Sequence, residues 1–362
     1  MNELDRVLQA AEDWSGRGID FALATVVGVR GSTYRGLAAR QLVAEDGTGV
    51  GTVSGGCLDE DLRRVAAEVI ESGRPRLIEF DLTADDEAVW GWGIGCNGAT
   101  ELVVEPAESV GTLIGDLRST QRPLAVVHHL DDRLGERTLV AVGGSGEYGE
   151  VATLAIEEGR HRVTEVAGER VMVEVLGAPL RLIVCGAGHD AAPVVRYGAE
   201  LGFEPIVIDD RRPFLSEERF PQASQFIHAT PRDMADAIEF DATTSVVIMS
   251  HNYLRDLDYL RAVLGNRVPY IGVLGPGERL SRLLDDLAEE GIEPDEHDLE
   301  ALHGPAGLDI GSEGPREIAW SVLTEIIAVR RGAGAGFLRD RKGPSVVRGY
   351  DPGSQRPPGP TG

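Results

Sequence analysis

The chain has 362 residues and a formal net charge of −25 at pH 7, from 35 lysines and arginines against 60 aspartates and glutamates. A surface this acidic repels nucleic acid and anionic membranes, so neither is an expected partner. No apolar run is long enough to cross a membrane, and the acidic start is unlike a secretory signal. With only three cysteines, at positions 57, 96 and 185, a disulfide framework is not expected, and we predict a cytoplasmic protein.

The N-terminal part of the chain alternates between helical and strand patterns, which is typical of an α/β domain. Apolar residues at helical spacing predict the first helix, and Gly73 stands where a glycine would end the second one. Asp46-Gly47 predicts a hairpin turn. In chain order we predict a helix over 3–15, strands over 21–29, 41–44 and 50–53, a helix over 59–72, and strands over 77–82 and 101–105.

The stretch over 109–178 carries a weaker signal. We predict a helix over 110–119 and then strands over 124–129, 139–142, 162–166 and 171–176. These are interpreted as additional strands that complete the first domain, which then spans residues 1–178.

The pattern changes at Pro179, where buried strands begin to alternate with helices. Such alternation implies a parallel, doubly wound sheet, so residues 179–332 are predicted to be a Rossmann-like domain. Residues 333–362 are rich in Gly and Pro and are predicted to be a disordered tail. In chain order we predict a strand over 180–185, a helix over 190–201, strands over 205–209, 225–227 and 245–250, a helix over 256–264, a strand over 270–274 and a helix over 317–330.

A glycine-rich turn follows the first strand of the Rossmann-like half. Gly186, Gly188 and Ala191 match the pattern G-x-G-x-x-A, whose glycines let a phosphate approach backbone N–H groups at a helix start. Asp209 ends the next predicted strand, where an acid can bind ribose hydroxyls. The same glycines would also allow close packing of strand and helix without a ligand, and the bulky His189 could serve a different ligand.

Cys57 follows Ser54-Gly55-Gly56 at a predicted strand-to-helix junction. The helix dipole stabilises a thiolate at this position, and the glycines expose backbone N–H groups to an anion. The motif therefore predicts a site for an anionic ligand that carries sulfur or a metal, although a free cysteine is more often a small buried residue. Cys185, in contrast, lies in an apolar run and is predicted to be buried and inert.

Several further motifs occur in order between residues 20 and 330. They are Gly31-Ser32 with Arg35, Ser54-Gly55-Gly56-Cys57-Leu58 before an acid, Gly95-Cys96-Asn97-Gly98, Gly186-Ala187-Gly188-His189, Asp209-Asp210-Arg211, His251 with Asp256, Tyr270–Gly275 and Gly304–Gly311. Taken together, these motifs resemble the XdhC/CoxI family. The chain departs from that family's pattern at Tyr34, where a Pro is usual, and at Ala38, where a Gly is usual.

The resemblance implies an accessory protein that binds the molybdenum cofactor, a molybdopterin. Such a protein assists sulfuration of the cofactor and its insertion into a xanthine dehydrogenase-like or carbon monoxide dehydrogenase-like molybdenum hydroxylase. The implied partners are that hydroxylase and a cysteine desulfurase; we also expect a homodimer, and whether any reaction is catalysed stays open. The implied cofactor-binding residues are Ser32, Arg35, Ser54, Gly55, Gly56, Cys57, Cys96, Asn97, Gly186, Gly188, His189, Asp209 and His251, with Cys57 as the molybdenum contact.

Two other functions fit parts of the sequence. The Gly186–Ala191 turn with Asp209 would suit an NAD- or NADP-dependent oxidoreductase, but that function leaves the cysteine loops without a role, so nicotinamide is not the expected cofactor. A docking protein without a cofactor would use the same glycine loops only as turns. A melting temperature that rises with NAD or NADP would favour the oxidoreductase, whereas bound molybdenum would favour the accessory protein.

Overall fold

The computed structural model describes residues 3–31, 33–56, 58–81, 98–120 and 122–340. The described chain divides into two structural units, one within residues 3–178 and the other within 179–340. No helix in these ranges is both long enough and apolar enough to cross a membrane. Residues 333–340 are exposed, and the rest of the predicted tail lies outside the described residues.

The first unit begins with a five-stranded antiparallel sheet in the order β3-β2-β1-β5-β4. The predicted helix over 59–72 is confirmed: acidic residues fill its first turn, and Gly73 ends it in the left-handed conformation at φ 63°. The elements are α1 (Glu3–Gly16), β1 (Phe21–Gly31), β2 (Arg40–Ala44), β3 (Gly49–Gly51), α2 (Asp59–Ser72), β4 (Arg76–Asp81), β5 (Gly98–Pro106), α3 (Ala107–Ser119), β6 (Leu124–His129), β7 (Arg137–Ala141), α4 (Gly149–Glu158), β8 (Arg162–Val166) and β9 (Glu169–Leu176).

The strands after residue 109 form a sheet of their own, in the order β7-β6-β9-β8. These strands do not extend the first sheet. Helix α4 was missed by the sequence analysis. Its buried side consists of Gly149, Ala152 and Ala155, and such small residues produce only a weak apolar period.

Buried ion pairs join the two sheets of this unit. Arg40 on β2 makes a two-pronged contact with Glu174 on β9, with Nη1–Oε1 and Nη2–Oε2 distances of 2.7 and 2.5 Å. His128 on β6 places Nε2 2.8 Å from the same carboxylate. A second pair joins Arg137 on β7 to Glu105 on β5. All five side chains are at most 6% exposed, so each charge depends on its partner for stabilisation.

The surroundings of this cluster shift two pKa values in the same direction for different reasons. Burial lowers the pKa of His128 from 6.5 to about 4, although the hydrogen bond with Glu174 opposes the shift. Burial alone would raise the pKa of Glu174, but the charge of Arg40 and the hydrogen bonds from His128 and Arg40 lower it below its ordinary value. We therefore expect a neutral imidazole beside an ionised carboxylate at neutral pH.

Acid should weaken the fold through His128, whose ring is held neutral in the folded chain by burial. Between pH 6.5 and about 4 the unfolded chain binds a proton at this imidazole and the folded chain does not, so the unfolding free energy falls as the pH falls. The shift corresponds to a loss of up to about 3 kcal/mol. His128→Gln keeps a donor for Glu174 but cannot titrate, so urea unfolding of this variant at pH 7 and pH 4.5 should show a smaller difference than the wild type. Equal differences in the two proteins would contradict the expectation.

The second unit contains a six-stranded sheet whose neighbouring strands are all parallel, in the order β12-β11-β10-β13-β14-β15. Helices α7 and α8 pack on one face and α5 and α10 on the other, so the predicted doubly wound Rossmann-like fold is confirmed. The predicted elements do not include α6, α8, α9 or the short β15. The elements are β10 (Leu180–Cys185), α5 (Ala191–Glu200), β11 (Phe203–Asp209), β12 (Gln225–His228), α6 (Met234–Ala237), β13 (Thr244–Ile248), α7 (Tyr253–Val263), β14 (Tyr270–Val273), α8 (Glu278–Glu289), α9 (Glu296–Ala301), β15 (Leu302–His303) and α10 (Gly314–Arg330).

Candidate functional site

An open cleft of about 620 Å³ lies in the first unit, between the β2–β3 hairpin and the start of α2. Its volume is in the range of small-molecule sites in proteins, and nearly all of its lining side chains are polar or absent. The lining residues are Tyr34, Gln41, Val43, Gly47, Gly49, Gly51, Thr52, Ser54, Gly55, Gly56, Asp59 and Arg63.

Glycines make up much of the wall of this cleft. Gly51 has a φ of 87°, and a Cβ there would lie 2.3 Å from the carbonyl oxygen of Arg40, so only glycine fits. A Cβ on Gly47 would lie 2.9 Å from Cδ of Arg63. These two glycines are required by packing. Gly56 differs, since it has a φ of 103° and no atom lies within 4 Å of a Cβ there, so a ligand can approach its backbone closely.

The predicted residues Ser54, Gly55 and Gly56 lie together in this cleft. The Ser54 hydroxyl accepts a hydrogen bond from the Gly56 N–H at 3.1 Å and lies 3.3 Å from Oδ1 of Asp59. These contacts hold the glycine loop at the beginning of α2. Cys57, the next residue in the sequence, lies outside the described residues, as do the predicted site residues Ser32, Cys96 and Asn97.

Arg35 is not among the residues that line the cleft. Its guanidinium instead pairs with the carboxylate of Glu3 on α1, with an Nη1–Oε1 distance of 3.0 Å. Three residues that line the cleft are not among the predicted site residues: Gln41, Thr52 and Arg63. The alternate glycines over 47–51 were a usable signal, since a strand with so few side chains leaves space on its surface.

The second predicted site lies at the carboxyl edge of the parallel sheet. The strand order reverses between β10 and β13, and ligands bind at such switch points in doubly wound folds. Gly186 follows β10 with a φ of 110°, and a Cβ there would lie 2.7 Å from the Cα of Ser250. This glycine is therefore required for packing of the loops after β10 and β13, whatever the loops bind.

Asp209 is buried at the end of β11, and its carboxylate is fully engaged within the protein. Oδ2 accepts hydrogen bonds from the Ala187 N–H at 2.8 Å and from Nη2 of Arg211 at 2.7 Å. Oδ1 accepts from the backbone N–H and from Nε of Arg211, both at 2.8 Å. Burial would raise the pKa of Asp209, but these hydrogen bonds lower it to about 2. A carboxylate has about four acceptor positions, so a ribose hydroxyl would have to displace one of these donors.

A second carboxylate lies over the glycine turn itself. Asp190 Oδ2 is 2.5 Å from Nε2 of His251, and Asp190 Oδ1 would be 2.6 Å from a Cβ on Gly188. His251 adopts a φ of 56°, which side-chain-bearing residues rarely do, while His189 is exposed. An acidic group at this position repels a phosphate, so the turn is poorly suited to a dinucleotide.

Each of the two units matches a model of a known protein family. The model of the "XdhC and CoxI family" matches residues 14–81, and the model of the "XdhC Rossmann domain" matches residues 182–326. The chain is 30% identical over 320 residues to a probable xanthine dehydrogenase subunit of Bacillus subtilis, covering 85% of this chain and 93% of that protein. It is 26% identical over 317 residues to the "Molybdenum cofactor insertion chaperone PaoD" of Escherichia coli, covering 87% of this chain and 85% of the chaperone. A crystal structure of a xanthine dehydrogenase from Bacillus halodurans is similar at a TM-score of 0.73 and 29% identity, covering 92% of this chain and 97% of that one.

Proposed function

Because the chain belongs to the XdhC and CoxI family, we propose that it is an accessory protein that binds the molybdenum cofactor and inserts it into a molybdenum hydroxylase. The observation that carries this proposal is the glycine-lined polar cleft whose wall, Ser54 to Gly56, directly precedes Cys57 in the sequence. The molybdenum cofactor is the cargo of such a protein, so the cleft is considered as a binding site for a substrate.

The cleft suits the chemistry of this cargo. Molybdopterin joins a pterin, whose pyrimidine ring is flat, to a phosphate and a dithiolene that holds the metal. The glycine backbone at Gly55 and Gly56 lets the anionic parts approach closely, although the Gly56 N–H itself donates to the Ser54 hydroxyl, and Arg63 adds a positive charge to the wall. A thiolate is a soft ligand, so we propose Cys57 as the contact to molybdenum or its sulfur. Four further cofactor contacts stay predictions that rest only on the family resemblance: Ser32, Arg35, Cys96 and Asn97.

We extend the proposal to the steps around binding. The cofactor is sulfurated while it is bound, a cysteine desulfurase supplies the sulfur, and the protein acts as a homodimer. Clients of the xanthine dehydrogenase and carbon monoxide dehydrogenase types fall within this proposal. The relatives support the insertion role; a cysteine next to an anion-binding loop supports the sulfur chemistry.

The carboxyl edge of the parallel sheet is poorly suited to bind a nicotinamide dinucleotide. Asp209 is occupied by Arg211, and Asp190 lies over the glycine turn. Both observations count against an NAD-dependent oxidoreductase. A second ligand contact at this edge stays a prediction, and the residues predicted to make it are Gly186, Gly188, His189 and His251.

The proposal is tested by the metal content of the full chain, purified from a molybdenum-replete host that also expresses its hydroxylase. We expect molybdenum and phosphorus to copurify with the protein, and NAD and NADP to leave its melting temperature unchanged. Protein without molybdenum whose melting temperature rises with NAD would instead be an oxidoreductase. Protein that shows neither property would be a docking protein without a cofactor.

A further inference from the structure

Tyr34 is a large aromatic side chain on the wall of the cleft, and it is 60% exposed. Its ring carbons lie 3.5 to 3.8 Å from the position of a Cβ on Gly55, so the ring stands against the glycine loop. The residues on either side are anchored: Thr33 donates a hydrogen bond to the Arg35 carbonyl at 2.9 Å, and Arg35 pairs with Glu3. A fixed loop therefore presents an exposed ring to the cleft.

Arg63 contributes a positive charge to the same wall. It lies over Gly47, where a Cβ would come within 2.9 Å of its Cδ, and it is the one cation among the described residues that line the cleft. The one acid of that lining, Asp59, accepts a hydrogen bond from the Ser54 hydroxyl at 3.3 Å. Its Nη2 is 2.6 Å from Oε2 of Glu60, but the Glu60 side chain is 90% exposed. A pair so exposed contributes little, so the guanidinium can exchange this partner for a bound anion.

From these two side chains we propose that the cleft recognises a pterin phosphate, with Tyr34 stacking on the heterocycle and Arg63 binding the phosphate. The inference rests on the proposed function and deepens it by naming the residues that select the cargo. An exposed ring beside bare glycine backbone offers a flat surface to a flat ligand. A guanidinium in the same cleft matches the phosphate that such a ligand carries, in a two-pronged hydrogen bond.

The test is the affinity of the full chain for 6-hydroxymethylpterin monophosphate, followed by pterin fluorescence, with unphosphorylated 6-hydroxymethylpterin and guanosine monophosphate as comparison ligands. Tyr34→Leu should weaken binding of both pterins about tenfold, and Tyr34→Phe should retain it. Arg63→Gln should weaken binding of the phosphate about tenfold and leave the unphosphorylated pterin unaffected. Arg64→Gln is the matched control, since Arg64 is the neighbouring exposed arginine of α2, pairs with Glu68 and does not line the cleft.

Four results would overturn the assignment: unchanged affinity in Tyr34→Leu, equal loss in Arg63→Gln and Arg64→Gln, equal loss of both pterins in Arg63→Gln, or equally tight binding of guanosine monophosphate. The molybdenum content of protein purified with its hydroxylase separates this inference from the proposed function. Molybdenum in the wild type and undiminished molybdenum in Tyr34→Leu would contradict the inference alone. A wild type that binds the pterin phosphate but never carries molybdenum would contradict the proposed function alone.

Discussion

Cys57→Ser protein is expected to fold normally and to lose most of its ability to activate the hydroxylase. Cys57 is preceded in the sequence by Gly55 and Gly56 of the cleft wall, and α2 begins two residues after it, at Asp59. Serine is nearly isosteric with cysteine, so the unfolding free energy should change by less than roughly 1–2 kcal/mol. A hydroxyl does not bind molybdenum comparably and does not exchange sulfur, so activation should fall at least about tenfold.

The three cysteines provide an internal control for this expectation. Cys185 is fully buried on β10, and burial raises the pKa of its thiol far above the usual range, so it should react last with a thiol reagent. We expect Cys57 or Cys96 to react first. Folded Cys57→Ser protein that binds molybdenum normally and activates its client fully would exclude the thiol role.

Arg40→Met should destabilise the first unit by about 3–5 kcal/mol, because it leaves the Glu174 carboxylate buried without its main partner. Glu174 is 2% exposed, and the remaining contact with His128 comes from a ring that is neutral at pH 7. The measurement is urea unfolding at pH 7, followed by circular dichroism. Replacing both partners, as in Arg40→Met with Glu174→Leu, should recover much of the loss, since neither partner then leaves an unpaired buried charge behind.

A surface pair serves as the reference for this experiment. Asp13 on α1 and Arg17, which directly follows α1, form an ion pair whose side chains are 57% and 63% exposed. Arg17→Met should therefore change the unfolding free energy by less than about 1 kcal/mol. If Arg40→Met were no more damaging than Arg17→Met, the two sheets would not depend on the buried ion pair.

The parts of the fold that the sequence predicts well are those with long buried patterns. The strand over 180–185 is predicted with its observed bounds, because a strand covered on both faces is a nearly continuous apolar run, interrupted here only by Arg181. Helix α4 is not predicted because its buried residues are small and give only a weak apolar period. Strand β15 is not predicted because two residues are too few to show an alternating pattern. Ala38, which departs from the family's glycine, has a φ of 65° in the structure, so the usual glycine there has a backbone reason.

The candidate site was predictable where the chemistry is local. Ser54 to Gly56 are adjacent in sequence, so their motif alone predicts a wall of the cleft. Arg63 reaches the cleft only because α2 packs beside the hairpin, which no local pattern reveals. Arg211 lies two residues after Asp209 in the sequence, so an ion pair between them is easy to suspect. Only the distances in the structure show that Arg211 occupies both carboxylate oxygens of Asp209, where a ribose hydroxyl would otherwise bind.

The ion pairs between the two sheets also limit how the chain can be divided for expression. Besides Arg40–Glu174 and Glu105–Arg137, Glu101 on β5 pairs with Arg170 on β9. A fragment that stops after β5 would retain three of these six charges and lose the ion-pair partner of each one. It would therefore expose a charged, partly apolar sheet face prone to aggregation. Fusion or fragment boundaries for the N-terminal half should for this reason fall after β9, so that both sheets are made together.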